Sequence, residues 1–296
     1  MFTREDLLSK MHVREIDTLL YQGDPLQMGL KRVFGGQVLG QALNAAMRTV
    51  DPERRPHSLH AYFLRPGDTS RSILYEVDPI RDGRSFSTRR VVAKQRGKPI
   101  FNASISFQKT EEGVEHQMDL PRDVPGPEAL QNDSLAIKTL LEKLQDPESE
   151  SRGSWQLTFD ADVIDIRTPD LSKTMEPGHY SPEYGFWFKF NAELGDNPII
   201  HQTLLAFISD KGLIMTGLLP HNINLQTHDI ILASLDHAMW FHTDFRVDEW
   251  IYYHIDSPRS GGARDLGRGS FYSREGKLIA STAQEGLIRI VEAAKA

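Results

Sequence analysis

The last long segment of the chain alternates like a β-strand. In KLIASTAQEGLIRI, residues 277–290, one alternate set is Leu278, Ala280, Thr282, Gln284, Gly286, Ile288 and Ile290. Successive strand side chains point to opposite faces, so this set predicts a core-facing surface with a glutamine at its centre. A buried amide without partners costs about 1–3 kcal/mol. Gln284 must therefore find partners or face a polar pocket.

Similar patterning predicts strands at 57–66, 72–80, 85–96 and 99–109, and again at 213–219, 231–242, 250–257, 267–274 and 277–290. Helices are predicted at 35–50 (GGQVLGQALNAAMRTV) and 197–212 (NPIIHQTLLAFISDKG). Small residues in the first helix (Gly40, Ala42, Ala45, Ala46) are expected to let a sheet lie close against it. In the second, Asn197 suits the N-cap, Pro198 the first turn and Gly212 the C-terminal cap. Hairpin turns are predicted at 95–97 and 274–276. Residues 110–155 carry many charges and four of the 16 prolines, which marks a connector with one helical stretch near 136–144.

The flanks of this connector resemble each other. SLHAYFLRPGDTSRSILYEVDP (58–79) aligns with SLDHAMWFHTDFRVDEWIYYHIDSP (234–258). His60-Ala61 matches His237-Ala238, 177 positions on; Tyr75 and Asp78 match Tyr253 and Asp256, 178 on; Gly97-Lys98 matches Gly276-Lys277, 179 on. A nearly constant offset predicts a duplication, each copy one helix followed by antiparallel strands, an α+β pattern. The expected organisation is an N-terminal repeat over 1–110, a connector over 111–155 and a C-terminal repeat over 156–296. At the 179 offset Gln284 answers to Ile105, whose own strand face (Pro99, Phe101, Ala103, Ile105, Phe107) is apolar. The second copy thus carries a carboxamide where the first keeps a plain core.

Composition narrows the chemistry. The net charge of −7 argues against nucleic-acid or anionic-membrane binding. The absence of cysteine excludes disulfides, zinc–thiolate sites and Cys nucleophiles. No run of about 18 apolar residues suggests membrane insertion. The opening MFTREDLLSK has no apolar leader and the end EAAKA is not a peroxisomal signal, so a cytoplasmic location is expected. The 11 histidines show no metal-ligand spacing, and neither a metal nor a cofactor is expected.

Other polar residues invite attention. Asp210 ends the second helix, where a carboxylate opposes the macrodipole, and it borders Ala206 and Phe207. An exposed helix-end aspartate is the plain alternative. Ser234 opens the strand SLDHAMWFH; in an unbroken strand it faces away from His237, which argues against a Ser–His pair. His60 and Arg65, in LHAYFLRPGD, read either as a packed histidine and a surface charge or as substrate contacts. Arg81, Arg84, Arg89 and Arg90 form a basic cluster that suits phosphate or a solvated strand edge. Trp240, Phe241 and Trp250 read as core more readily than as lining for an apolar ligand.

The blocks VFGGQVLGQAL, HSLHAYFLRPGD, GRSFSTRRV, GKPIF, SLDHAMWFH, GRGSFYSREGKLIAS and QEGLIR, in that order, resemble the acyl-CoA thioesterase II family from about Asp17 to Ile290. The resemblance implies a double hot-dog fold: two tandem repeats, each a curved antiparallel sheet wrapped around a central helix. It implies hydrolysis of fatty acyl-CoA, with an Asp, a Ser or Thr, and a Gln in the second repeat; by motif position these are Asp210, Ser234 and Gln284. Water attack is expected over an acyl-serine, with Gly35 and Gly36, at the first helix's start, offering N–H groups to an oxyanion. The resemblance also implies further association into a dimer or tetramer. An enoyl-CoA hydratase on the same fold and a non-catalytic acyl-CoA-binding module are the alternatives left open.

Overall fold

The computed structural model describes residues 2–144, 159–176, 178–223 and 228–291. The first repeat runs α1 (Arg4–Met11), β1 (Arg14–Asp17), β2 (Leu20–Gly23), α2 (Gly35–Met47), β3 (Arg54–Phe63), β4 (Ile73–Asp82), β5 (Phe86–Gln95) and β6 (Lys98–Lys109). After α3 (Asp133–Leu144) come β7 (Ile164–Arg167), α4 (Ser172–Met175), β8 (Glu183–Phe190), α5 (Pro198–Ser209) and α6 (Leu213–Thr216). The chain then runs through β9 (Asp229–Ser234), β10 (Asp236–Phe241), β11 (Ile251–Gly261), β12 (Arg264–Ser273) and β13 (Leu278–Val291). The predicted connector beyond Leu144, and the first residues of the expected C-terminal repeat, lie outside the described residues.

The strands form one sheet in the order β1-β2-β4-β5-β6-β3-β10-β13-β12-β11-β8-β7, with β9 also on β13. Either side of the β3–β10 seam the order is mirrored, which is the double hot-dog arrangement. α2 and α5 lie antiparallel inside, and one core cluster spans both halves. The helices touch because two glycines permit it: a Cβ on Gly36 would stand 2.0 Å from the Phe207 carbonyl oxygen, and one on Gly40 2.8 Å from that of Thr203. Gly36 and Gly40 thus admit the partner helix, while α2 also packs against β3, β4, β5 and β6 of its own sheet, as the sequence predicts.

Pairing registers refine the internal alignment. Tyr75 lies opposite Ala93 and Tyr253 opposite Phe271. Carried along β5 and β12, this equates Arg89 with Gly267, whose partners are Ile105 and Gln284. Ile105 in turn faces Leu59. Ala238 faces Ala283 in the equivalent ladder, which sets His237 opposite Gln284. His237 therefore answers to Leu59, and the His-Ala identity at offset 177 is one residue out of register. Burial agrees: Leu59 and His237 are each 1% exposed, whereas His60 is exposed.

Other departures have local causes. The apolar run predicted as a strand at 213–219 is the short helix α6, entered through Gly212 at φ 92°; short apolar runs do not separate strand from buried helix. The stretch Pro198–His221 is long and apolar enough, by length and composition, to cross a membrane. It is α5 and its continuation, a core helix with 67% of its most apolar window buried inside the protein. Strands β1, β2, β7 and β8 are not anticipated either. The β5–β6 hairpin does turn where predicted, with Arg96 and Gly97 both at positive φ.

Candidate active site

Asp210 is the C-cap of α5. Its own helix disfavours it there, but its carboxylate also meets the N-terminus of α2, where the Gly36 N–H donates to Oδ2 at 3.0 Å. A helix N-terminus favours negative charge. Gly35 keeps this approach open, since a Cβ there would stand 2.6 Å from the same oxygen. The first repeat thus supplies one wall of the site.

Ser234 reaches the site through a β-bulge. β10 pairs with β13 as Ala238↔Ala283, but β9 pairs as Ser234↔Gly286, a register one residue different. The extra residue is Leu235, whose N–H donates to the Glu285 carbonyl and whose carbonyl accepts from the Phe63 N–H, both at 2.9 Å. A one-residue slip moves side chains to the opposite face. Ser234 and His237 therefore share a face, against the expectation for an unbroken strand.

Gln284 sits between them, 1% exposed. Its Nε2 donates to Ser234 Oγ at 3.1 Å, and Ser234 Oγ donates to Asp210 Oδ1 at 3.2 Å. On the other side Gln284 Oε1 lies 2.5 Å from His237 Nδ1, while His237 Nε2 lies 3.0 Å from Ser209 Oγ. Burial pushes the Asp210 carboxyl up to about 6; hydrogen bonds from Gln284, Ser234 and Gly36, and the charge of Arg32, hold it from rising further. Burial pushes the His237 imidazole down to about 4, against the pull of its Gln284 contact, so the ring is neutral near pH 7. The arrangement offers a carboxylate able to accept a proton near neutrality, flanked by a hydroxyl and an amide.

Beyond the next residue, Lys211, a cavity of about 100 Å³ opens between α3, α4 and α6, with Ile137, Phe159, Ile166, Met215 and Leu218 among its walls.

The family model described as acyl-CoA thioesterase matches residues 157–287, and that described as acyl-CoA thioesterase N-terminal domain matches 24–108. Acyl-CoA thioesterase 2 of Haemophilus influenzae is 37% identical over 287 residues, spanning 97% of this chain and 98% of its own. The chain belongs to the acyl-CoA thioesterase family. Acyl-CoA thioesterase II TesB2 from Mycobacterium marinum, a solved structure, is similar at 34% identity and TM-score 0.76, with 99% of each chain covered. A hot dog fold protein from Alicyclobacillus acidocaldarius, only 16% identical, shares the fold at TM-score 0.70 over 95% of this chain and 97% of that one.

Not all of this thioesterase's sequence-predicted residues meet at the site. Asp210, Ser234, Gln284, Gly35 and Gly36 do. The Gly36 N–H is already given to Asp210, so it is not free for an oxyanion as expected. His60 lies on the outer face of the seam, its ring edge-on to Trp240 at 5.3 Å, opposite in facing to His237. Arg65 is exposed and donates from Nη1 to the Pro99 carbonyl at 2.7 Å. Arg89 is buried and holds Asp82 and Thr49, and Arg90 pairs with Asp78. Both arginines thus have structural partners. Phe241 is core, Trp240 is half-buried, and Trp250 lies under Arg167. His237 is the site residue that sequence reasoning misses; the signal was its pairing with Gln284, hidden by the one-residue misalignment.

Proposed function

We propose that the protein hydrolyses fatty acyl-CoA to free fatty acid and CoA by direct attack of one water, held by Asp210, Ser234 and Gln284. The observation that carries this is the hydrogen-bonded chain from Gln284 through Ser234 to a buried carboxylate whose pKa is raised to about 6. A base is most useful when its pKa lies near the working pH. The water oxygen adds to the thioester carbonyl carbon as its proton passes to Asp210. The tetrahedral intermediate then expels the CoA thiolate, which takes up that proton, leaving thiol and a carboxylic acid that gives its own proton to solvent. Ser234 and Gln284 orient the water. The thioester is electrophilic enough that no covalent intermediate is needed.

Family membership supports the substrate class: Acyl-CoA thioesterase 2 and TesB2 carry it in their names. A cytoplasmic location and association into a dimer or tetramer belong to the same proposal, the latter supported by exposed apolar side chains such as Tyr62 and Leu64.

The test is release of CoA thiol from acyl-CoAs of graded chain length, with rapid-quench mass spectrometry of the enzyme. Thiol release with unmodified protein throughout is expected. An acyl adduct on Ser234 overturns direct water attack. Binding without thiol release, or hydration of enoyl-CoA in its place, overturns the hydrolase reading.

A further inference from the structure

A side-chain amide can stand either way round, and which end faces Asp210 decides what Gln284 can do. Its nitrogen end donates to Ser234 Oγ, whose own proton goes to Asp210 Oδ1. Reversed, a carbonyl oxygen would face a hydroxyl oxygen whose only proton is already given away. The carbonyl end therefore faces His237, 2.5 Å from Nδ1. A carbonyl only accepts, so Nδ1 carries the ring proton. Nε2 is then the acceptor of the neutral ring; the Ser209 hydroxyl lies 3.0 Å from it and 2.9 Å from the Ala206 carbonyl, so its one proton is divided between these two acceptors. Ser209 immediately precedes Asp210 in the chain. His237 thus ties the helix end that bears the carboxylate to the strand that bears the amide, from a position 1% exposed. Every bond runs the same way: His237 to Gln284, Gln284 to Ser234, Ser234 to Asp210.

The first repeat shows that this histidine is not demanded by the fold. Its equivalent, Leu59, lies opposite Ile105 in the same ladder position and is equally buried. A matched pair, His237 with Gln284, takes the place of a matched apolar pair.

We infer that His237 is a positioning residue for hydrolysis: its Nδ1–H locks the Gln284 amide with the nitrogen toward Ser234 and Asp210. It touches neither water nor thioester and acts only through Gln284. This rests on the water-orienting role proposed above for Gln284.

A double-mutant cycle on steady-state thiol release tests it. His237→Leu installs the first repeat's residue. It should lower kcat about 10–100-fold, as a misplaced reacting group does, with KM within about twofold. His237→Asn can keep a donor near the Nδ1 position and should recover most of the rate. His237→Gln, whose longer arm carries its amide toward Ser209, should not. In a Gln284→Ile background, His237→Leu should cost nothing further. Wild-type kcat in His237→Leu, with Gln284→Ile impaired, overturns the inference alone. So does equal loss in the Asn and Gln variants, or an undiminished cost of His237→Leu in the Gln284→Ile background. Wild-type kcat in Gln284→Ile removes the reading of Gln284 and the inference with it. If His237→Leu does not fold, the Asn and Gln variants, both polar, decide the matter between them.

Discussion

In the first repeat Leu59 faces Ile105; in the second, His237 and Gln284 occupy the same two ladder positions. The C-cap of α2 is Arg48, and that of α5 is Asp210. β9, which brings Ser234, lies between α6 and β10, where the first repeat passes directly from α2 to β3. Elsewhere the copies keep their shared parts. Tyr75 and Tyr253 are both fully buried and both brace a helix, the first through Gln41 Oε1 at 2.6 Å and the second through the Ser209 carbonyl at 2.9 Å. At this ladder position one copy of the duplicated fold keeps an apolar pair, Leu59 with Ile105, where the other carries a polar one, His237 with Gln284. The first copy still contributes, because its helix N-terminus steadies the Asp210 carboxylate. The difference teaches that the site is a property of the pair of repeats rather than of the second alone.

The comparison can be broken most forcefully at Asp210. Asp210→Asn keeps an acceptor for the Gly36 N–H but removes the base, so kcat should fall about 10²–10⁴-fold with KM little changed. Steady-state thiol release checks this, and a near-wild-type kcat would sink the assignment. In the wild type, kcat should decline as pH falls through about 6, where Asp210 takes up a proton. His237, with its imidazole near 4, should contribute no limb above about pH 5.

The same substitution sharpens the contrast in stability. Asp210's folded pKa is raised, so the folded protein binds that proton more tightly than the unfolded chain does. The carboxylate therefore costs stability, increasingly as pH rises from about 4 to about 6 and then constantly. Asp210→Asn should raise the stability at pH 7–8 by at most about 3 kcal/mol, seen as a higher melting temperature, with the gain vanishing near pH 4. Melting curves across that range would show it; a gain that grows toward acid would contradict the raised pKa.

Moving the polar pair the other way should only do harm. Leu59→His with Ile105→Gln puts polar groups where no Asp–Ser partner waits, at about 1–3 kcal/mol for each group left unsatisfied. Chemical denaturation should show the loss, with kcat unchanged. A second set of turnovers from the grafted repeat would overthrow the claim that the first copy lacks the remaining parts. At the helix contact Gly36→Ala must move the backbone carbonyl of Phe207, which should cost at least about 1–3 kcal/mol, with a drop in kcat as the Asp210 bond to the Gly36 N–H is disturbed.

Much of this was legible in the sequence. Alternation and the repeated blocks predict the duplicated α+β layout. The mismatch of Gln284 against Ile105 points to the site from composition of one strand face. Two things were not legible. The bulge at Leu235 inserts a residue with no signature of its own in ASLDHA, yet it reverses the facing of Ser234 relative to His237. And the His-Ala identity drew the alignment one residue away from the register that hydrogen bonding and burial impose, so His60 took attention that belonged to His237. Asp210 looked misplaced for a local reason that holds, since its own helix dipole opposes it. The compensating dipole of α2 comes from 174 residues away in sequence, beyond any local pattern.

The central claim is that one water-orienting site exists, in the second repeat, and that Gln284 is what the first repeat lacks. The most direct measurement is kcat for thiol release by Gln284→Ile, which restores the first repeat's residue at that ladder position. The account predicts a folded protein with kcat lowered about 10²-fold or more; a folded Gln284→Ile protein turning over at the wild-type rate would contradict it.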